Sequence, residues 1–84
     1  MWIKAAEVLE TDLGDEIVLM HPGTSEMFSL NSAGRIIWTR LPAPEAQLVQ
    51  ALMTQFEIDE ATATQDVRAL LEDLKDRALV HHEP

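Results

Sequence analysis

Apolar and polar positions change rhythm once along the 84 residues, near Asn31. Before it the repeat is close to two. Glu7 to Leu13 alternate loosely, Leu13-Gly14-Asp15 supplies a turn, and Glu16 to Met20 form an apolar run, so the pattern predicts a hairpin. Pro22-Gly23, extended by Thr24 and Ser25, marks a second turn, and Glu26 to Leu30 alternate around Phe28 as a third strand. Three strands with two short connections make an antiparallel meander whose last member is expected at an edge. Alternation puts Phe28 and Leu30 on the core face and Met27 and Ser29 on the other.

From Asn31 the repeat becomes helical, and three helices are predicted. Asn31 or Ser32 caps the first, in which Ala33, Ile37 and Leu41 share a face and Trp38 joins the core. Gly34 lowers the propensity of that helix by about 1 kcal/mol relative to alanine. A glycine there implies close approach to a neighbouring backbone. Pro42-Ala43-Pro44 ends the first helix and starts the second, which carries the apolar stripe Leu48, Val49, Leu52, Met53 and Phe56. Asp59 caps the third, with Ala63, Val67, Leu70 and Leu74 along its buried line before Leu79-Val80 close the core. One domain is expected over residues 1–80, with residues 81–84 (HHEP) as a solvated tail.

Composition then removes whole classes of function. Fifteen acidic against six basic residues give a net charge of -9, which repels nucleic acid and anionic membrane. The absence of cysteine excludes disulfides and thiolate chemistry. With no signal sequence and no apolar run long enough to span a bilayer, a soluble cytoplasmic protein is expected. Catalytic signatures are missing: there is no phosphate-cradling glycine loop, no Gly-x-Ser-x-Gly elbow and no HExxH pair. His21, His81 and His82 are the only histidines and do not make a metal site. The expectation is a protein without enzymatic activity, cofactor or metal.

The order strand, Gly-Asp turn, strand, "MFSLNSAGRIIW", proline-led helix and "DVRALLEDLKDRALV" resembles the PqqD-like family, the RiPP precursor recognition elements. The resemblance covers essentially the whole chain and rests on Leu30-Asn31 with Gly34 and Trp38, and on Asp66-Val67 with Leu70, Leu71, Leu74 and Leu79-Val80. Ala78 departs from it, since the family usually has glycine before the final apolar pair. The resemblance implies an α+β fold: a three-stranded antiparallel sheet followed by three helices, in a winged-helix-like arrangement. It further implies an adaptor that binds the leader segment of a ribosomally made precursor peptide as an added β-strand and delivers it to modifying enzymes. In a lasso-peptide pathway these would be a leader peptidase and an ATP-dependent cyclase. In pyrroloquinoline quinone maturation the partner would be a radical S-adenosylmethionine enzyme.

Strand physics points the same way, because an edge strand offers unpaired N–H and C=O groups to another chain. Glu26, Met27, Phe28, Ser29 and Leu30 are therefore the expected docking rail. The family suggests the third helix as the facing wall, and there Thr64, Val67, Arg68, Leu71 and Lys75 are assigned to it, with Val67 and Leu71 as floor and Arg68 and Lys75 drawing leader carboxylates. Asp66, Asp73 and Arg77 fall on the opposite flank. A winged-helix DNA-binding domain is the competing reading from another class. From Asp59 to Arg77 the helix that would enter the groove holds six acidic and three basic residues, the reverse of a DNA footprint. A subunit that only docks to a protein partner is a further alternative.

Overall fold

The computed structural model describes residues 1–84. Five strands and three helices follow one another as β1 (Trp2–Lys4), β2 (Leu9–Asp12), β3 (Ile17–Met20), β4 (Met27–Leu30), α1 (Ser32–Thr39), α2 (Glu45–Gln55), α3 (Glu60–Asp76) and β5 (Val80–His82). The meander forms as its pattern predicts, an antiparallel sheet in the order β2-β3-β4. Ile17 and Leu19 at its centre and Leu30 on β4 are buried, and Phe28 packs half-buried against the same core.

The helices begin where short polar side chains satisfy their free N–H groups. Asn31 Oδ1 accepts from Gly34 N at 2.9 Å, and Asp59 Oδ1 accepts from Thr62 N at 2.8 Å. At Gly34 a Cβ would stand 3.0 Å from Leu30 Cβ, so the bare backbone lets α1 turn tightly off β4. Behind the sheet, Ile37, Trp38, Leu48, Leu52, Val67, Leu71 and Leu74 are all but sealed from solvent. Each such side chain contributes roughly 1.5–3 kcal/mol of burial.

Residues 81–84 are not all tail. His81 and His82 belong to β5, which pairs antiparallel with β1 in a separate two-stranded sheet, Trp2 opposite His82 and Lys4 opposite Val80. Trp2 also exchanges backbone hydrogen bonds with Ala43 at 2.8 and 3.0 Å. The Trp2 and His82 rings lie 4.8 Å apart, centre to centre. Pairing between segments at opposite ends of the chain leaves no local pattern in three-residue strands, and two histidines read as polar tail for that reason.

The helix end before β5 takes a left-handed residue. Ala78 has φ 59°, and Leu79 N donates to Leu74 O at 2.9 Å, the long hydrogen bond of a Schellman cap. Glycine occupies such a position without the steric cost that an alanine Cβ carries there.

Candidate functional site

In an antiparallel ladder each residue turns both its N–H and its C=O to one side, and successive residues alternate. Two hydrogen bonds fix the phase here: Leu13 N to Glu16 O at 2.8 Å and His21 N to Glu26 O at 3.0 Å. With Leu9 opposite Met20 and Leu19 opposite Phe28, Phe28 and Leu30 bond back to β3. Met27 and Ser29 turn their N–H and C=O groups outward. The outer side of β4 is bordered by no other strand, because β1 pairs with β5. The protein's own amino-terminal segment therefore leaves this edge vacant.

Two cavities flank the rail. One, of about 370 Å³, is lined by His21, Glu26, Met27 and Phe28 from the sheet side and by Asp76, Arg77 and Leu79 from the end of α3. The other, of about 440 Å³, lies where β4 passes into α1, between Asn31, Gly34 and Ile37 on one side and Asp66, Leu70 and Asp73 on α3. α3 is common to both: it faces β4 across the first cavity and the start of α1 across the second, so the two together form a groove beside the β4 end of the sheet. The Arg77 guanidinium lies over the Phe28 ring, 4.1 Å from its centre, and its Nε reaches Asp73 Oδ1 at 3.1 Å. Phe28 is thus partly covered by a cation–π contact.

The structure brings only half of the expected site residues together. Met27, Phe28, Ser29 and Leu30 line up on the edge strand with Glu26 just before it, Leu30 sealed in the core and Met27 68% exposed. On α3, Val67 and Leu71 are fully buried under the helix rather than flooring a groove. Thr64 and Arg68 face α2 instead of β4: both line a shallow cleft with Glu45 and Val49, and Arg68 Nε pairs with Glu45 Oε1 at 3.1 Å. That pair holds the Arg68 pKa above its ordinary value. Lys75 is exposed and borders neither groove cavity. The flank that meets the groove is the other one, Asp66, Leu70, Asp73 and Arg77, spaced four, three and four residues apart: Arg77 beside β4, the other three beside the start of α1. A helical repeat defines two flanks but does not say which neighbour each will meet; the packing of α2 against α3 decides it. Leu70, expected on the buried line, is instead half-buried and lines the cavity at the Asn31 end, while Leu71 takes the sealed position.

The far edge of the sheet is built differently. On β2 the outward backbone belongs to Glu10 and Asp12, and both carboxylates are tied down. Lys4 Nζ meets Glu10 Oε2 at 3.2 Å, and Arg35 clamps Asp12 with Nε and a terminal nitrogen, each at 2.8 Å. The Arg35 guanidinium, with help from the Gly14 N–H, lowers the Asp12 pKa to about 2.

No helix is long and apolar enough to cross a membrane, and no cluster of three or more His, Cys, Asp or Glu side chains forms that could hold a metal ion. The family described as coenzyme PQQ synthesis protein D (PqqD) matches residues 16–80. The chain belongs to that family. Among solved structures it is similar to TbiB1 in complex with the TbiA(beta) leader peptide, with 26% identity over 98% of both chains and a TM-score of 0.90. It is also similar to lasso peptide synthetase B1 complexed with the leader peptide, with 23% identity over 96% of this chain and 98% of that one and a TM-score of 0.85. No curated protein matches the sequence.

Proposed function

We propose that this protein is an adaptor that captures the leader segment of a ribosomally made precursor peptide on β4 and holds it for separate modifying enzymes. The observation that carries the reading is the vacant β4 edge facing α3 across a groove. Met27 and Ser29 offer four backbone groups to a docked strand, and hydrogen bonds of this kind contribute about 1 kcal/mol each once desolvation is counted. Side chains of the docked strand enter the two cavities at the ends of the rail. The two leader-bound relatives of the same fold support this occupant. The adaptor contributes position and no chemistry: it raises the effective concentration of the core peptide at the enzyme.

The likeness to lasso peptide synthetase B1 favours a lasso-peptide pathway, with a leader peptidase and an ATP-dependent cyclase as enzyme partners. The family's description favours instead a role in pyrroloquinoline quinone synthesis, with a radical S-adenosylmethionine enzyme. The enzyme encoded next to the gene separates the two. Binding itself is tested by fluorescence anisotropy with the precursor encoded beside the gene, intact and with its leader removed. Tight binding is expected only for the intact precursor. Equal binding of both forms would end the adaptor reading.

A further inference from the structure

We propose that the groove is selective for leaders that carry Lys or Arg at the ends of a short apolar docking stretch, with Asp66 receiving one of these cations. The inference rests on the adaptor reading above and adds the chemistry of its ligand. Its ground is the charge of the groove. The ionisable side chains lining the two cavities are His21, Glu26, Asp66, Asp73, Asp76 and Arg77. Arg77 is the only Lys or Arg among them, and it is already engaged by Asp73. Glu26, Asp66 and Asp76 enter no salt bridge.

The remaining cations are placed where they cannot compensate. Lys4, Arg35 and Arg68 are paired with Glu10, Asp12 and Glu45, away from the groove. Arg40 and Lys75 line neither groove cavity. From Ala5 to Gly34 the chain holds Glu7, Glu10, Asp12, Asp15, Glu16 and Glu26 and no Lys or Arg at all. A peptide approaching β4 therefore meets a negative field from the sheet as well as from α3, which steers cations inward and turns acidic segments away.

The carboxylates sit at the two ends of the rail. Glu26 and Asp76 share the cavity at the Met27 end, and Asp66 shares the cavity at the Asn31 end. The four residues of β4 span roughly 13 Å. A docked strand of similar length then brings its flanking residues, not its central ones, to the carboxylates. The centre of the strand lies against Phe28 and Leu70. Asp66 is the better defined receiver, because its neighbours in that cavity are apolar or uncharged apart from Asp73, which Arg77 already holds.

The test uses the full chain and two synthetic fluorescein-labelled peptides: the leader of the adjacent precursor frame, and the same peptide with every Lys and Arg replaced by Gln. The native leader is expected to bind about three- to tenfold more tightly than the neutralised one, with the advantage shrinking as salt rises. Asp66→Asn should lose about three- to fivefold for the native leader and less than about twofold for the neutralised one. Asp66→Glu should restore the preference, while Glu72→Gln, exposed elsewhere on α3, should change neither affinity. Thermal melts of each variant separate loss of recognition from loss of folding. Equal affinity for both peptides, or an Asp66→Asn loss that is the same for both, overturns the inference while leaving the adaptor reading intact. Failure of the folded wild-type chain to bind either peptide overturns the adaptor reading and this inference with it.

Discussion

The same three-stranded sheet ends in two unlike edges. On β2 the outward-facing residues are Glu10 and Asp12, and ion pairs to Lys4 and Arg35 stitch that border to β1 and α1. On β4 they are Met27 and Ser29, uncharged, with an unfilled groove alongside. Charged side chains on an edge are a common protection against unwanted strand pairing. The protection is applied here to one border and withheld from the other, so the open border is a feature of the sequence and not a by-product of a small sheet.

The sharpest way to break this contrast is a proline on each edge. Ser29→Pro removes an outward N–H without touching the β3–β4 ladder, and should weaken leader binding by at least about thirtyfold, since it deletes a backbone hydrogen bond and crowds the incoming strand. Glu10→Pro, its counterpart on β2, should change leader affinity less than about twofold in the same anisotropy titration. Equal losses would mean that the two edges are not functionally distinct. Next in size, Leu70→Ala should weaken binding about tenfold, whereas Arg68→Glu on the opposite flank of α3 should leave it within about twofold. That pair of variants asks which side of α3 acts together with the β4 edge.

Smaller effects report on how each edge is supported. Ala78→Gly relieves the left-handed alanine that sets Leu79 beneath the Met27 end of the groove, and should stabilise the fold by about 1 kcal/mol. In thermal unfolding that corresponds to a Tm rise of about 4–8 °C for a chain of this size. The smallest effect belongs to the clamped edge. The bond to Arg35 lowers the Asp12 pKa to about 2, below the ordinary aspartate range, so its ionised form favours the folded state. Its contribution is complete above about pH 4 and is lost as pH falls through 2. Melts of Asp12→Asn should therefore show a shallower decline in Tm between pH 4 and pH 2 than wild type.

Local pattern carried most of the fold. The period-two runs, the Gly14 turn and the caps at Asn31 and Asp59 all act within a few residues and are found where expected; Gly34 is a tight spot too, but against the side chains of Leu30 and Asn31 and not against a neighbouring backbone. What sequence could not supply were facts about distant neighbours. The β1–β5 pair joins opposite ends of the chain, and its strands are too short to show alternation. The choice between the two flanks of α3 likewise depends on where α2 and β4 settle around it, so Arg68, expected at the groove, is found bonded to Glu45 on the other side. Arg77, on the flank that the sequence reading had set aside, is the residue that lies on Phe28. The edge strand itself was legible, because its place at the border and the face alternation within it follow from the order of the meander alone.

One consequence of the β1–β5 clasp concerns the geometry of attachment. Met1 N donates to Glu83 O at 2.9 Å and Glu83 N to Met1 O at 2.8 Å, so the first residue stands beside the last but one. Anything joined to either end would leave from the same spot. A short glycine-rich link between the ends, with new termini opened in the loop at Pro22 to Ser25, would give a permuted chain that keeps the clasp but cuts beside the Met27 end of the groove. Opening it at Asp15 would spare that end entirely.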